Sequence, residues 1–344
     1  MKVLSIGTDR GIFDAASTVR KRMVQYAACF EELHVIVFST KQSSFEKIQI
    51  AENAWVYPTQ SFSRLLYIFD AIRIAEDIQC DVVTTQDPFE TGYVGMKVSK
   101  KKHIPLHVQV HTDFLSAGFQ KHSFLNRIRF VLSEKVIAHA ARIRVVSDAL
   151  RERIVHRFQP QAEISVLPIY IDIERYKNIE RVAHEKVELL FVGRLESEKR
   201  PYWALATLEH VRNEGVDAHL TFVGDGSLKK GLMEQGGEPV SFAGHTDPLP
   251  YYAQADMLLV PSVYEGYGMV MVEASAAGIP VVATDVGVAK EVGAYIAPHT
   301  IDGFAKSVSA ALSSNYVPEP FSYLYENEEV YIQQWCEDVK KTGT

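Results

Sequence analysis

Residues 261–285 read PSVYEGYGMVMVEASAAGIPVVATD, with an apolar run (ADMLLVPS) leading in and a second (PVVAT) near the end. The order is strand, glycine-rich turn, helix, glycine stop, strand. Continuous apolar runs of this kind are the pattern of parallel strands buried on both faces. Glu265 and Glu273 stand eight positions apart, among Gly266, Gly268 and Gly278. The first carboxylate is expected in the turn at a helix N-terminus, and the second about two turns along the helix. Ligands of α/β sheets collect at the carboxyl ends of the strands, and a glycine turn opening a helix there offers backbone N–H groups to a phosphate. Two acidic residues beside an anion site call for a hydroxyl-rich ligand, a sugar or a ribose.

A second segment, FVGRLESEKRP at 191–201, reads as a strand ending at Gly193, then Arg194 and Lys199, then a helix opened by Pro201. Two cations at a strand's carboxyl end suit a diphosphate, Arg as a fork and Lys as a point charge. Read alone, ESEKR is equally a solvated loop with internal ion pairs. FVGDGS (222–227) places Gly224 in another turn after a strand, where close approach to a ligand and the ordinary needs of a tight turn both ask for glycine. SFAGHTD (241–247) has similar standing as part of a base-binding wall.

In the first half, GTDRGIFDAAS (7–17) links a strand to a helix, and Gly11 lets that loop bend toward a phosphate. The third glycine of a dinucleotide fingerprint is missing. His111 ends a strand in HTDF, as a structural histidine or as one near a reacting centre. The run KHSFLNRIRFVLSEK alternates basic and apolar residues on a helix, either a solvated amphipathic helix or a lipid or acceptor face.

At 344 residues the chain suits two domains, and 47% apolar and 23% charged residues are ordinary for a globular protein. Residues 1–175 carry 23 basic against 19 acidic side chains and the remainder 13 against 24, so the net −7 conceals a basic first half. Cys29, Cys80 and Cys336 are far apart, which argues against a disulfide framework or zinc site and makes a reducing cytosol the simplest setting. The opening MKVLSIGTDRG reads as a first strand rather than a signal peptide, and no apolar stretch approaches the length of a spanning helix.

Strand-like and helix-like segments alternate throughout, predicting two α/β domains with mainly parallel sheets facing across a cleft. Strands are expected at 3–6, 34–39, 55–58, 82–85, 107–111, 143–147 and 164–168, and helices at 14–29, 62–78, 124–140 and 148–158. After the polar stretch IDIERYKNIERVAHEK the pattern restarts at 187–194. It ends with a proline-broken connection (SNYVPEP) and an amphipathic helix at 326–340. There is no P-loop, no HExxH, no GxSxG elbow and no Asp-x-Asp pair for a metal-held diphosphate.

Together, GRLESEK (193–199), EGYGMVMVEA (265–274), the GDG turn and GIPVVATDVG (278–287) resemble the retaining glycosyltransferases of family 4 (glycosyl transferases group 1), of GT-B fold. HTD and RVVSDALR (144–151) extend the likeness into the first half, while PIYID (168–172) and TDRGIFD depart from the usual linker and first-loop patterns. The resemblance implies two Rossmann-like domains: an acceptor-binding domain at 1–168, a nucleotide-sugar domain at 169–325, and a last helix, 326–344, crossing back to the first. It implies a hexosyltransferase that moves sugar from a nucleotide-diphosphate sugar to a hydroxyl of a glycan, glycolipid or lipid-linked saccharide in cell-surface polysaccharide or glycolipid biosynthesis. No metal, cofactor or nucleic acid is expected. The place is the cytoplasm, with peripheral contact at the inner face of the membrane through the N-terminal domain. By position, Arg194 and Lys199 neutralise the leaving diphosphate, Glu265 binds the donor sugar and Glu273 the ribose. Gly193, Gly224, Gly266, Tyr267, Gly268 and Met269 border the donor, Gly11 lies near its phosphate, and His111 near the reacting centre. The alternatives on the same fold are a nucleotide-sugar epimerase or hydrolase, or a non-catalytic nucleotide-binding protein.

Overall fold

The computed structural model of the chain describes residues 1–314, 316 and 323–343, so the proline-broken connection at 314–320 lies almost wholly outside the described residues. Two compact units emerge: Met1–Pro168 together with Tyr325–Thr344, and Ile169–Leu324.

The first unit is built on β1 (Lys2–Gly7), β2 (Glu32–Val37), β3 (Ile48–Ala51), β4 (Ala54–Pro58), β5 (Val82–Thr85), β6 (Leu106–Val110), β7 (Arg142–Val145) and β8 (Glu163–Val166). Their spatial order is β3-β4-β2-β1-β5-β6-β7-β8, parallel except for the antiparallel edge pair β3–β4. The second unit holds β9 (Val187–Val192), β10 (Ala218–Val223), β11 (Val240–Gly244), β12 (Met257–Val260), β13 (Val281–Thr284) and β14 (Tyr295–Ala297), in the order β11-β10-β9-β12-β13-β14. All of its pairings are parallel. Each sheet is doubly wound: the chain works outward from a central strand, then returns to the other side of it. The carboxyl ends of β1 and β5, and of β9 and β12, therefore flank a topological switch point, where α/β sheets leave an open crevice.

Helices cover these sheets because the strands are apolar on both faces; β5, β6, β12 and β13 are buried along their whole length. The helix Glu90–Lys102 carries Gly92 and Gly95 in its interior, where glycine ordinarily weakens a helix. A Cβ on Gly95 would stand 2.4 Å from Thr85 Cγ2. The glycine lets the helix lie directly on β5.

The last helix, Glu328–Lys341, belongs to the first unit and is fastened there by one buried carboxylate. Asp338 accepts from Arg142 Nε at 2.5 Å, His107 Nε2 at 3.0 Å and Ser165 Oγ at 2.8 Å, so one side chain engages three adjacent strands. His107 is buried, and its Nδ1 accepts from Thr84 Oγ1 at 2.7 Å, which fixes the proton on Nε2. Nearby, Arg144 is fully buried and donates to Gln109 Oε1 at 2.7 Å and to the Leu167 carbonyl at 3.0 Å, while Trp335 Nε1 donates to the same Gln109 oxygen at 3.1 Å.

Cysteine spacing predicted no disulfide, and the structure corrects this. Cys29 and Cys336 are bonded, with Cα atoms 6.2 Å apart across 307 residues of sequence. Separation along the chain carries no information once a terminal helix returns to the first domain. Cys80 is free, and burial pushes its thiol up to about 11. Among the described residues no helix is long and apolar enough to cross a membrane.

Burial alone would raise the Asp338 carboxyl, but the hydrogen bonds from His107, Arg142 and Ser165 outweigh it and hold the group at about 2. Its folded value lies below the unfolded one, so its stabilisation is complete above about pH 4 and is lost as pH falls toward 2. Asp338→Ala leaves Arg142 and His107 facing an empty carboxylate position and is expected to cost about 3–5 kcal/mol. Urea denaturation at pH 7 measures the loss, and the variant's deficit should shrink below pH 3.

Candidate functional site

In the second unit, the loops after β9 and β12 meet at the switch point. β9 ends at Val192, just before Gly193, Ser197–Lys199 form a single 3-10 turn, and the helix Pro201–Asn213 follows. Lys199 Nζ donates to Glu265 Oε1 at 2.5 Å, and Ser262 Oγ donates to the same oxygen at 2.7 Å. Both members of the pair are largely shielded, with side chains 21% and 10% exposed. Arg194 is not part of this cluster. Its guanidinium is 70% exposed and pairs at 2.7 Å with the buried Glu198, the local ion pair that the loop reading allowed.

Gly193 (φ 148°) and Gly224 (φ 141°) are explained by each other. A Cβ on Gly224 would lie 1.9 Å from the Gly193 carbonyl oxygen, and Gly193 N donates to the Val223 carbonyl at 2.9 Å. The two strand-end loops touch backbone to backbone.

Gly266 and Tyr267 form the turn after Glu265, and Gly268 (φ 92°) caps the helix Met269–Ala276. A Cβ on Gly268 would strike Met271 Cε at 2.2 Å. Tyr267 is buried, and its carbonyl accepts from Val288 N at 2.9 Å, which fixes the turn against the loop after β13. The first N–H groups of any helix, here from Met269 onward, have no intrahelical acceptor and point out of its N-terminus. Because the turn delays the helix to Met269, Glu273 is only its fifth residue, one turn along rather than two.

Glu273 is 8% exposed and accepts from the Tyr252 hydroxyl at 2.9 Å. Burial raises its carboxyl above the ordinary range; hydrogen bonds from Tyr252 and Tyr176 oppose that. Glu265 and Glu273 thus sit in different settings, one against a cation and one among neutral hydroxyls.

In the first unit, Gly11 lies in the 3-10 turn Arg10–Phe13, and its N–H donates to Asp9 Oδ1 at 3.0 Å. The Gly11 N–H is thus satisfied by the loop's own side chain. Arg10 likewise donates to the Phe38 carbonyl (3.1 Å) and the Tyr67 hydroxyl (3.1 Å). His111 stands one residue beyond β6. Burial, then the cations Arg144 and Arg22, push it down to about 3, so it is a neutral hydrogen-bonding group at physiological pH. Asp113 Oδ2 accepts from Arg153 at 2.5 Å, while its Oδ1 is buried without a partner.

Sequence reasoning missed Ser262, Glu198, Tyr252 and Tyr176. Ser262, three residues before Glu265, was within reach of a local reading. Tyr252 and Tyr176 approach Glu273 from segments 21 and 97 residues away, and nothing local marks them.

Residues 186–314 match the family model for glycosyl transferases group 1, and residues 25–175 that for glycosyltransferase family 4. The chain belongs to these glycosyltransferases. Over 182 residues it is 33% identical to a glycogen synthase of Mycobacterium tuberculosis, covering 48% of this chain and 44% of that protein. Over 199 residues it is 29% identical to the lipopolysaccharide core biosynthesis mannosyltransferase LpsB of Rhizobium meliloti, covering 54% and 55%. The chain thus spans about half the length of these curated relatives. The structure of Anabaena HepE in complex with UDP-glucose superposes with a TM-score of 0.66 at 18% identity, covering 99% of this glycosyltransferase and all of that chain, a likeness of GT-B fold.

The Gly193–Gly224 contact predicts a sharp contrast between glycine positions. Gly224→Ala meets backbone at a φ that alanine avoids and should cost more than about 2 kcal/mol, whereas Gly278→Ala (φ 70°, open space) should cost about 1 kcal/mol. Thermal unfolding of the two variants side by side tests the difference.

Proposed function

We propose that this glycosyltransferase moves a hexosyl group from a nucleotide-diphosphate sugar to a hydroxyl of a glycan, glycolipid or lipid-linked saccharide, with retention of anomeric configuration and without a metal. The observation that carries the reading is the shielded Lys199–Glu265 pair, braced by Ser262 at the switch point beside the helix N-terminus at Met269. In this reading the donor diphosphate meets Lys199, the exposed Arg194 swings from Glu198 to join it, and both offset charge on the leaving group. Glu265 holds donor-sugar hydroxyls and Glu273 the ribose. The acceptor oxygen attacks the anomeric carbon on the face from which the diphosphate departs. The bond to the phosphate oxygen breaks, and that oxygen takes the acceptor's proton. Neutral His111 serves as a hydrogen-bonding group near this centre.

Support for the donor class comes from the neighbour solved with UDP-glucose, and for cell-surface polysaccharide or glycolipid synthesis from the lipopolysaccharide mannosyltransferase. A cytoplasmic place at the inner membrane face fits the first unit's surface. Phe62, Leu65 and Phe124 are 76–86% exposed, and residues 115–133 contain Lys121, Arg127 and Arg129 but no carboxylate. Apolar and basic groups together match an anionic lipid interface.

Lys199→Ala and Glu265→Ala should each lower transfer by about a hundredfold or more with circular dichroism unchanged, and full activity in either sinks the reading. NMR of the product should show the donor's anomeric configuration, and a chelator should leave the rate intact. Incubation with donor alone should release little free sugar; rapid release would indicate a hydrolase. For the membrane contact, co-sedimentation with phosphatidylglycerol vesicles should exceed that with phosphatidylcholine and fall when Phe62 and Phe124 are changed to Ser.

A further inference from the structure

Glu265 and Glu273 differ in one respect that the chemistry of the donor does not explain by itself. Glu265 is partnered by a cation, whereas Glu273 is partnered by phenols. The Tyr252 hydroxyl, on the short helix Leu249–Tyr252, lies 2.9 Å from Glu273 Oε2 and 3.2 Å from the Val270 carbonyl. A phenol has one proton to donate, and an ionised carboxylate is the stronger acceptor. Tyr176, on the helix Glu174–Lys177, approaches the same carboxylate and contributes a weaker interaction. Tyr252 is fully buried, and the two rings pack edge to face with centroids 5.6 Å apart. The hydroxyls therefore cannot turn away without unpacking the rings.

A carboxylate accepts about four hydrogen bonds. With one direction given to Tyr252 and Tyr176 packed beside it, at least two remain, and a vicinal diol brings two O–H donors. Neutral partners cancel less of the carboxylate charge than a lysine in contact would, and the nearby Arg175, which also acts on Glu273, is itself paired with Asp247 at 2.7 Å. We propose that Tyr252 and Tyr176 are positioning residues that hold the Glu273 carboxylate with two acceptor directions open for the 2′- and 3′-hydroxyls of a ribonucleotide, and that they thereby make the donor site select ribose over 2′-deoxyribose. The inference rests on the assignment of Glu273 to the ribose and goes beyond it by naming what gives that contact its selectivity.

UDP, ADP and GDP are titrated calorimetrically against the whole chain, and the tightest binder is compared with its 2′-deoxy analogue. The wild type is expected to prefer the ribonucleotide by about tenfold or more, the worth of one hydrogen bond to a charged group. Tyr252→Phe keeps the ring and the packing. It should weaken the ribonucleotide about tenfold, leave the deoxy analogue nearly unchanged, and raise donor KM with kcat held. Tyr176→Phe should do the same to a smaller extent. Loss of the phenol also removes a group that lowers the Glu273 carboxyl, so the acid limb of nucleotide binding should move to higher pH. An equal fall in affinity for ribo and deoxy ligands, or an unchanged ratio between them, overturns the proposal and leaves the ribose assignment standing. A wild-type ratio near one, with Glu273→Gln binding normally, overturns the ribose assignment itself, as does failure of all three nucleotides to bind.

Discussion

The first unit depends on the Asp338 carboxylate. It is one group, supplied by the last helix, and it answers donors from β6, β7 and β8 at once. Without it, His107 and Ser165 would lose their carboxylate and Arg142 would keep only its more exposed partner, Glu163. Side chains alternate along a strand, so His107, Gln109 and His111 share one face at the end of β6. His107 meets Asp338, Gln109 meets Arg144 and Trp335, and His111 is kept neutral first by burial and then by the Arg144 and Arg22 charges. The state of a residue assigned to the reacting centre is thus set partly by how the end of the chain is held.

The second unit solves a different problem, bringing a cation and a carboxylate together beside a helix N-terminus without wasting either. Doubly wound topology places the carboxyl ends of β9 and β12 side by side, although 67 residues lie between Val192 and Val260 along the chain. The Gly193–Gly224 contact fixes the first loop, and the Tyr267–Val288 hydrogen bond fixes the second. Lys199 and Glu265 are therefore carried on braced loops. The charge pair stands at 2.5 Å with both side chains mostly shielded, so each holds the other in place beside the helix N-terminus.

The parallel strands and most helices were legible in the sequence because a strand buried on both faces leaves a continuous apolar run, and the expected 148–158 helix coincides with Asp148–Phe158. The antiparallel edge strand Ile48–Ala51 was not, since a four-residue edge strand half open to water carries little apolar signal. The helix Glu90–Lys102 was not singled out, as its two interior glycines read locally as breakers and make sense only against β5. At the site, Lys199, Glu265 and the Gly268 turn could be read because each sits in a short motif. Arg194's ion pair with Glu198 and the Gly11 bond to Asp9 are local and lay within reach of such a reading, whereas the two tyrosines on Glu273 did not, because they come from segments distant in sequence. The disulfide was misread for the same reason.

The first unit is discontinuous: residues 1–168 are completed by a helix that the ribosome makes only after the whole of the second unit. A nascent chain therefore has all eight strands of the first sheet but not the helix that brings Asp338 to Arg142, His107 and Ser165, while the later-made unit is one continuous stretch. Domains tend to fold in order of emergence during synthesis. Here the second-born domain is the first that can be finished, and the first unit gains its last helix only when the closing residues arrive.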